Sequence, residues 1–396
     1  MKFLHISDIH INKSFATKDE RLSKALKKKL KRSFFNAIDY CIKEDLDALV
    51  IAGDLFDHYP IEFESKIWVL EAFEKLKKAN VAVLYASGNH DYTSVSSDLI
   101  TMDFPSNVKT FFDEQYQVHT LTSKSQGKSY NFIGCGHRVA HEKRPLIHDF
   151  PKGDYIGIGH TLVASSLVVN EKSYLPSELE VLKNLNYRYF ALGHVHQRGP
   201  LDVKESLCYS GSLMGLNRNE TGPKGGYLIK VDDQGIEKEF VALSALTYED
   251  FYFDISDYSH LENAFDGLMQ KLKDTFAERV LEDFFVSIYL KGQSSLYTKL
   301  REEKLLKQFE ILILEHLDFI DVKVINQTKT LYDAGAYKQE KSVLGAVLFA
   351  LDDLKESLDV QGLNLLNRYD EKSLNRLLDN MEEELMSYFL EGYDEN

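Results

Sequence analysis

Residues 48–57 read Ala-Leu-Val-Ile-Ala-Gly-Asp-Leu-Phe-Asp. Five consecutive apolar residues predict a buried strand, and the glycine that follows lets the chain turn sharply before a carboxylate. The same arrangement recurs at four other places. Lys2–Ile6 leads to Asp8-Ile9-His10, and Val81–Tyr85 to Gly88-Asn89-His90-Asp91. Tyr155–Ile158 leads to Gly159-His160, and Tyr189–Leu192 to Gly193-His194-Val195-His196. Helical periodicity fills roughly 19–44 and 61–79, between the first three runs. Strands alternating with helices predict an α/β fold whose sheet faces are covered by helices. All five polar motifs then fall at C-terminal strand ends, where open α/β sheets form their sites.

Further along, the 115–135 region predicts a hairpin around Ser123–Lys128, and a second hairpin-like stretch follows Leu201. The rhythm changes near Thr247. Strand-like Asp250–Ile255 and Phe284–Leu290, a helix marked by Leu261, Phe265, Leu268 and Leu272, a helix over Leu296–His316 and a strand over Phe319–Ile325 predict a small α+β domain. We therefore expect domains at 1–245 and 246–330, then a linker and acidic helical tail at 331–396. The tail carries two apolar stripes, Leu344/Val347/Leu348/Leu351/Leu354/Leu358 and Leu374/Leu377/Leu378/Met381/Leu385/Phe389.

Charge narrows the function. The 396 residues hold 47 Lys and Arg against 62 Asp and Glu, a net of −15. The stretch from Lys338 onward contributes −8 of this, so much of the acidity lies away from the motifs. Bulk charge is not that of a nucleic-acid-binding protein, so any such contact must use a local basic patch. Three widely spaced cysteines, Cys41, Cys135 and Cys208, predict neither a disulfide framework nor a thiolate zinc site. No run of 18 apolar residues occurs and the N-terminus reads as a strand, which predicts a soluble cytoplasmic protein without a membrane segment.

Two Asp, one Asn and four His make an oxygen and nitrogen donor set that suits Mn²⁺, Fe²⁺ or Zn²⁺ better than Ca²⁺. Seven ligands exceed the needs of one ion. A shared carboxylate lets two ions sit about 3.5–4 Å apart, the spacing of two-metal phosphoryl-transfer sites. Any one of these motifs alone is a common turn or surface histidine. All five in this order, each after a strand-like run, predict a metal centre.

On these motifs the chain resembles the calcineurin-like metallophosphoesterase superfamily. Within it, the chain resembles the SbcD-type DNA repair exonucleases, most closely the YhaO-like bacterial branch. Tyr209–Ser212 and the Arg218-Asn219-Glu220-Thr221-Gly222-Pro223-Lys224-Gly225 stretch are similar to that branch's segment after the last metal motif. The resemblance implies a four-layer αββα sandwich with a small α+β cap domain and a helical C-terminal tail. It implies that Asp8, His10 and His196 hold one metal, that Asp54 bridges, and that Asn89, His160 and His194 hold the other, Mn²⁺ being the expected ion. His90 would face the scissile phosphate as a catalytic residue, with Asp91 orienting it. Asp57 stands where archaeal and eukaryotic relatives carry His, and two roles stay open for it: tuning His90 or ending the strand. DNA would be the substrate, an SMC-like coiled-coil ATPase the partner, and a homodimer the assembly.

Several alternatives stay open at this level. The run Lys24, Lys27, Lys28, Lys29, Lys31 and Arg32 is either a solvated helix surface or a phosphate-backbone contact. Arg218 and Lys224 are the DNA-contact residues the resemblance favours. The tail helices either dock on their own chain or enter a partner's groove. The activity is either DNA exonuclease and endonuclease cleavage or, on the same centre, small-molecule phosphodiester or phosphomonoester hydrolysis. A vestigial centre on a scaffold is disfavoured by the intact ligand set, since buried acids are costly without metal.

Overall fold

The computed structural model describes residues 1–57, 59–94, 98–164, 175–331, 342–356, 377–378, 380–382 and 385–386. The chain divides into two compact units, Met1–Glu249 with Asp283–Phe285, and Asp250–Glu282 with the residues from Val286 onward.

The first unit is built on two six-stranded sheets. In chain order its first elements are β1 (Lys2–Ile6), α1 (Glu20–Lys43), β2 (Ala48–Ala52), α2 (Phe63–Lys78), β3 (Ala82–Ala86) and β4 (Val108–Phe111). β1 to β4 pair in parallel and in sequence order. The hairpin Gly225–Val231/Ile236–Ala242 adds to the other edge of β1 in antiparallel sense. β2 is buried at every position, which is why its sequence is apolar throughout rather than alternating. The second sheet contains the antiparallel hairpin β5 (Gln117–Thr122) and β6 (Ser129–Gly134), then β7 (Ile156–His160), the Tyr189–Gly193 strand and the Leu207–Tyr209 strand.

The sheets pack face to face. Phe3, Val50, Leu84 and Phe111 of the first sheet share one core with Phe132, Ile158, Tyr189 and Ala191 of the second. Phe3 meets Phe132 edge-on at 5.6 Å and tilts against Tyr189 at 6.0 Å. On the outer face of the first sheet lie α1 and α2. α1 buries Leu26, Leu30, Phe34, Ile38 and Cys41, and starts where the Asp19 carboxylate accepts the Arg21 and Leu22 amides at 2.8 and 3.3 Å. The outer face of the second sheet is covered by a core of Ile147, Phe150, Leu182 and Leu185 around the short helix Leu179–Asn184. The layers therefore run α, β, β, α. All three cysteines are buried and unpaired.

The second unit holds most of a three-stranded sheet of Thr247–Asp254, Phe284–Lys291 and Asp321–Asn326. Its helices are Leu261–Thr275, Tyr297–Leu300 and Glu303–His316. The continuous helix expected over Leu296–His316 is broken at Arg301–Glu302. In helix Val343–Glu356, Leu344, Leu348 and Leu351 are buried. The tail stripe residues Leu358, Leu374 and Phe389 lie outside the described residues, as does the expected linker beyond Leu331. No described helix is long and apolar enough to cross a membrane.

Candidate metal centre

The five motifs meet at one end of the two sheets, because β1, β2, β3, β7 and the Tyr189–Gly193 strand are parallel within their sheets and end beside one another. The local backbone is unusual there. Asp8, His10, Asp54 and His194 all have positive φ (50°, 54°, 52° and 101°). For non-glycine residues this conformation is costly and persists only where surroundings enforce it, which is typical of functional sites.

The surroundings do enforce it. Asp91 is fully buried, and its carboxylate accepts the backbone amides of Asp54 (3.3 Å), Leu55 (2.7 Å), Phe56 (3.3 Å) and Gly88 (2.6 Å), and the Tyr85 hydroxyl. One carboxylate thus ties the turn after β2 to the turn after β3. Burial, and next the neighbouring Asp54 charge, push the Asp91 carboxyl above its ordinary range. This corrects the expectation that Asp91 orients His90. The group beside His90 is Asp57: the His90 Nδ1–H donates to the Asp57 carbonyl at 2.8 Å, and an Asp57 carboxylate oxygen lies 3.5 Å from the same nitrogen. Asp57 also reaches His10 Nδ1 at 2.8 Å and Lys13 at 3.3 Å.

The glycines make room for the ligands. A methyl group on Gly53 (φ +89°) would fall 2.3 Å from the His160 ring, and one on Gly88 would fall 2.1 Å from Asp54 Oδ1. Gly88→Ala must therefore turn the Asp54 carboxylate away. We expect hydrolysis of a small phosphodiester to fall at least about a hundredfold, as mispositioned reacting groups do. Steady-state kinetics on the folded variant check this, and wild-type kcat/KM would mean the carboxylate position is not critical.

Donor atoms converge on two points. Asp8, His10 and His196 offer ligand atoms within 4.8 Å of one another, and so do Asp8, Asp54 and His160. A third group, His10, Asp57 and His90, meets the same distance limit. Asn89 Oδ1 lies 3.0 Å from His160 Nε2 and 3.1 Å from His194 Nδ1. His160 is held from behind, where Nδ1–H donates to the Ala52 carbonyl at 3.0 Å. Its Nε2 therefore points, with Asp54 Oδ2 (3.2 Å) and Asn89 Oδ1, toward one spot rich in electron pairs. His10 Nε2 is buried and has no hydrogen-bond partner. Three acceptors facing one another and an orphaned buried imidazole nitrogen fit divalent cations. Without a cation there, Asp54 and His160 lean on each other for charge. Burial alone would raise the Asp54 carboxyl, but His160 holds it well below its ordinary range. Burial alone would lower His160, but Asp54 lifts it to about 9. His194, buried and beside His160, is lowered to about 3.

Four supporting residues were not legible as such. Glu220 Oε1 pairs with His196 Nδ1 at 3.0 Å, leaving Nε2 toward Asp8 (3.8 Å), while Glu220 Oε2 accepts from Ser212 and the Leu216 amide. Histidine ligands commonly lean on a carboxylate in this way. Ser7 donates to Asp8 Oδ2 and meets Ser210 at 2.8 Å. His137, buried, donates from Nε2 to the His160 carbonyl at 2.7 Å. Tyr85 holds Asp91. Only Glu220 carried a signal, its place in the 218–225 stretch. In that stretch Arg218 is exposed, whereas Lys224 is half-buried and donates to the His196 carbonyl at 3.2 Å, so its ammonium serves the centre's backbone.

The family model for calcineurin-like phosphoesterases matches residues 1–198, and the chain belongs to that family. It is a metal-dependent phosphoesterase with the family's dimetal site. Among curated proteins it is 25% identical to the uncharacterized metallophosphoesterase YhaO of Bacillus subtilis, over 70% of this chain and 68% of that one. It is 31% identical to the DNA double-strand break repair protein Mre11 of Aeropyrum pernix, over 70% of each. The Sulfolobus acidocaldarius protein of the same name is 21% identical over 96% of this chain and 98% of that one.

Proposed function

We propose that the chain is a two-metal DNA nuclease of the SbcD type, acting as an exonuclease on ends and as an endonuclease on single strands or hairpins. The observation that carries this is the reach of the similarity. Proteins named for DNA double-strand break repair align with this chain well past residue 198, one of them over 96% of it. In this reading Asp8, His10 and His196 hold one ion, Asn89, His160 and His194 the other, and Asp54 serves both. The expected metal is Mn²⁺. When bound, the two ions neutralise phosphodiester charge and acidify water.

The chain's own residues do the rest. Asp91 and the paired turns keep the carboxylates in place before substrate arrives. His90 has its Nδ1–H committed to the Asp57 carbonyl, so the partly exposed Nε2 edge is the one a phosphate would meet. To donate a proton to a leaving oxygen the ring must carry charge, and the Asp57 carboxylate faces that charge from the Nδ1 side. An SMC-like ATPase, held by the C-terminal helical segment, would present DNA ends, and a homodimer would pair two centres.

The test uses the purified chain with Mn²⁺ on end-labelled linear duplex, a closed circle of the same sequence, and bis-p-nitrophenyl phosphate. The linear DNA and the small diester are expected to be cut while the circle survives. Cleavage of the small diester with linear DNA untouched, even with the ATPase present, would overturn the nuclease reading in favour of a small-molecule phosphodiesterase.

A further inference from the structure

The loop leaving His10 serves a second place. A cavity of about 320 Å³ opens between α1 and α2, and Asn12 lines it. Asn12 is 6% exposed and sits at φ +73°, a left-handed conformation. Its Oδ1 accepts the Ser65 hydroxyl at 2.6 Å, and its Nδ2 has no hydrogen-bond partner. An unmade buried donor is costly, and an incoming acceptor would satisfy it.

Charge around the cavity favours an anion. Lys27, Lys28 and Lys31 of α1 line it. Glu62 and Glu64 answer Lys27 at 3.3 Å and Lys31 at 3.6 Å, but these carboxylates are 55% and 84% exposed. Such solvent-screened pairs hold little energy and are readily exchanged. Lys28 has no ion pair among the described residues. Apolar Leu30 and Trp68 form a wall, with the Lys31 ammonium 5.3 Å from the Trp68 ring centre. The Asn12 amide and the lysine ammonium groups line one cavity, so an oxyanion with several acceptor atoms there has donors of both kinds at hand, and the apolar wall suits an attached organic body.

We propose that this cavity is a phosphate subsite separate from the metal centre, filled by a phosphate of the DNA strand or by a released mononucleotide. The strand as source rests on the nuclease reading; the phosphate chemistry does not. It gives the basic run of α1 a concave, partly desolvated receptor in place of a diffuse surface.

The experiment uses the full-length Mn²⁺-loaded chain, as wild type, as Lys28→Glu/Lys31→Glu and as Lys28→Arg/Lys31→Arg. Kinetics are measured on a labelled single-stranded oligonucleotide and on bis-p-nitrophenyl phosphate. Binding of labelled deoxyadenosine monophosphate and of inorganic phosphate is measured by equilibrium dialysis. The Glu variant should raise KM for the oligonucleotide about tenfold, since bonds to charged groups are strong. Its kcat and its small-diester kinetics should stay at wild-type values, the salt dependence should become shallower by about one to two counterions, and the Arg variant should restore both. Mononucleotide retention lost in the Glu variant would identify free product as an occupant; the oligonucleotide effect without such retention would identify the strand. Unchanged oligonucleotide kinetics with unchanged dialysis would overturn the subsite, as would equal losses on both substrates. If wild type cuts no oligonucleotide, the nuclease reading falls and dialysis alone decides: retention lost in the Glu variant supports the subsite, and no retention by wild type overturns it.

Discussion

Asp54→Ala should abolish metal retention and turnover together. The Asp54 carboxylate faces three histidines of the centre. Its Oδ2 lies 3.2 Å from His160 Nε2 and 3.7 Å from His10 Nε2, and its Oδ1 accepts the His90 amide at 2.9 Å. Removing it deletes the charge that keeps His160 above its ordinary range and leaves a buried imidazole pair with no anion between them. Asp8, whose carboxylate reaches both groups of donors, would be the one acid left among the proposed ligands. Loss of this much transition-state charge stabilisation, several kcal/mol, corresponds to at least about a thousandfold in rate. Elemental analysis should find both ions depleted. Because a ligand that binds only the folded state raises Tm, Mn²⁺ should stabilise wild type but not the variant. Asp54→Asn, which keeps the size, should behave the same way. Substantial phosphodiesterase activity in either variant would remove Asp54 from its role between the metals.

The parts of this molecule that could be read from sequence are those where local pattern and final environment coincide. Strand β2 begins and ends where its apolar run does, because both faces of a strand between two layers are buried and every position must be apolar. The metal-centre residues were legible because each chemical group directly follows such a run. What escaped was long-range. The Gly225–Val231 strand pairs with β1 from more than 220 residues away, and no local pattern encodes that neighbour. Glu220 supports His196, 24 residues off, from a stretch whose resemblance marks the segment but not the partner of this carboxylate. Asp91 was misread for the opposite reason. It adjoins His90 in sequence, and adjacency suggested a shared task. A residue's immediate neighbour points elsewhere, however, and the Asp91 carboxylate is drawn to four unpaired amides of two tight turns that need an acceptor more than the imidazole does.

That correction makes the second large prediction sharper. His90→Ala should leave both ions in place and remove turnover by about a hundredfold to ten-thousandfold, the range of general acid–base and transition-state groups. The geometry offers a rival. His10, Asp57 and His90 present ligand atoms within 4.8 Å of one another, so His90 could itself bind a metal. The His90 Nδ1–H is spent on the Asp57 carbonyl, and the ring meets His10 edge-on at 4.7 Å between centres, so only its outer edge is available. His10 Nδ1, in turn, is occupied by the Asp57 carboxylate. This third group therefore has its inner atoms already paired, unlike the two others. Metal content separates the readings: two ions per chain in His90→Ala assign the ring to substrate, while loss of an ion assigns it to the metals. Asp57→Asn should then fall between the two, because it weakens the support of both rings. Turnover should drop about ten- to hundredfold, the usual cost of losing a carboxylate behind a metal-site histidine, with part of that loss restored by excess Mn²⁺. Full restoration would mean that Asp57 acts only through His10; no restoration would mean that it acts only through His90.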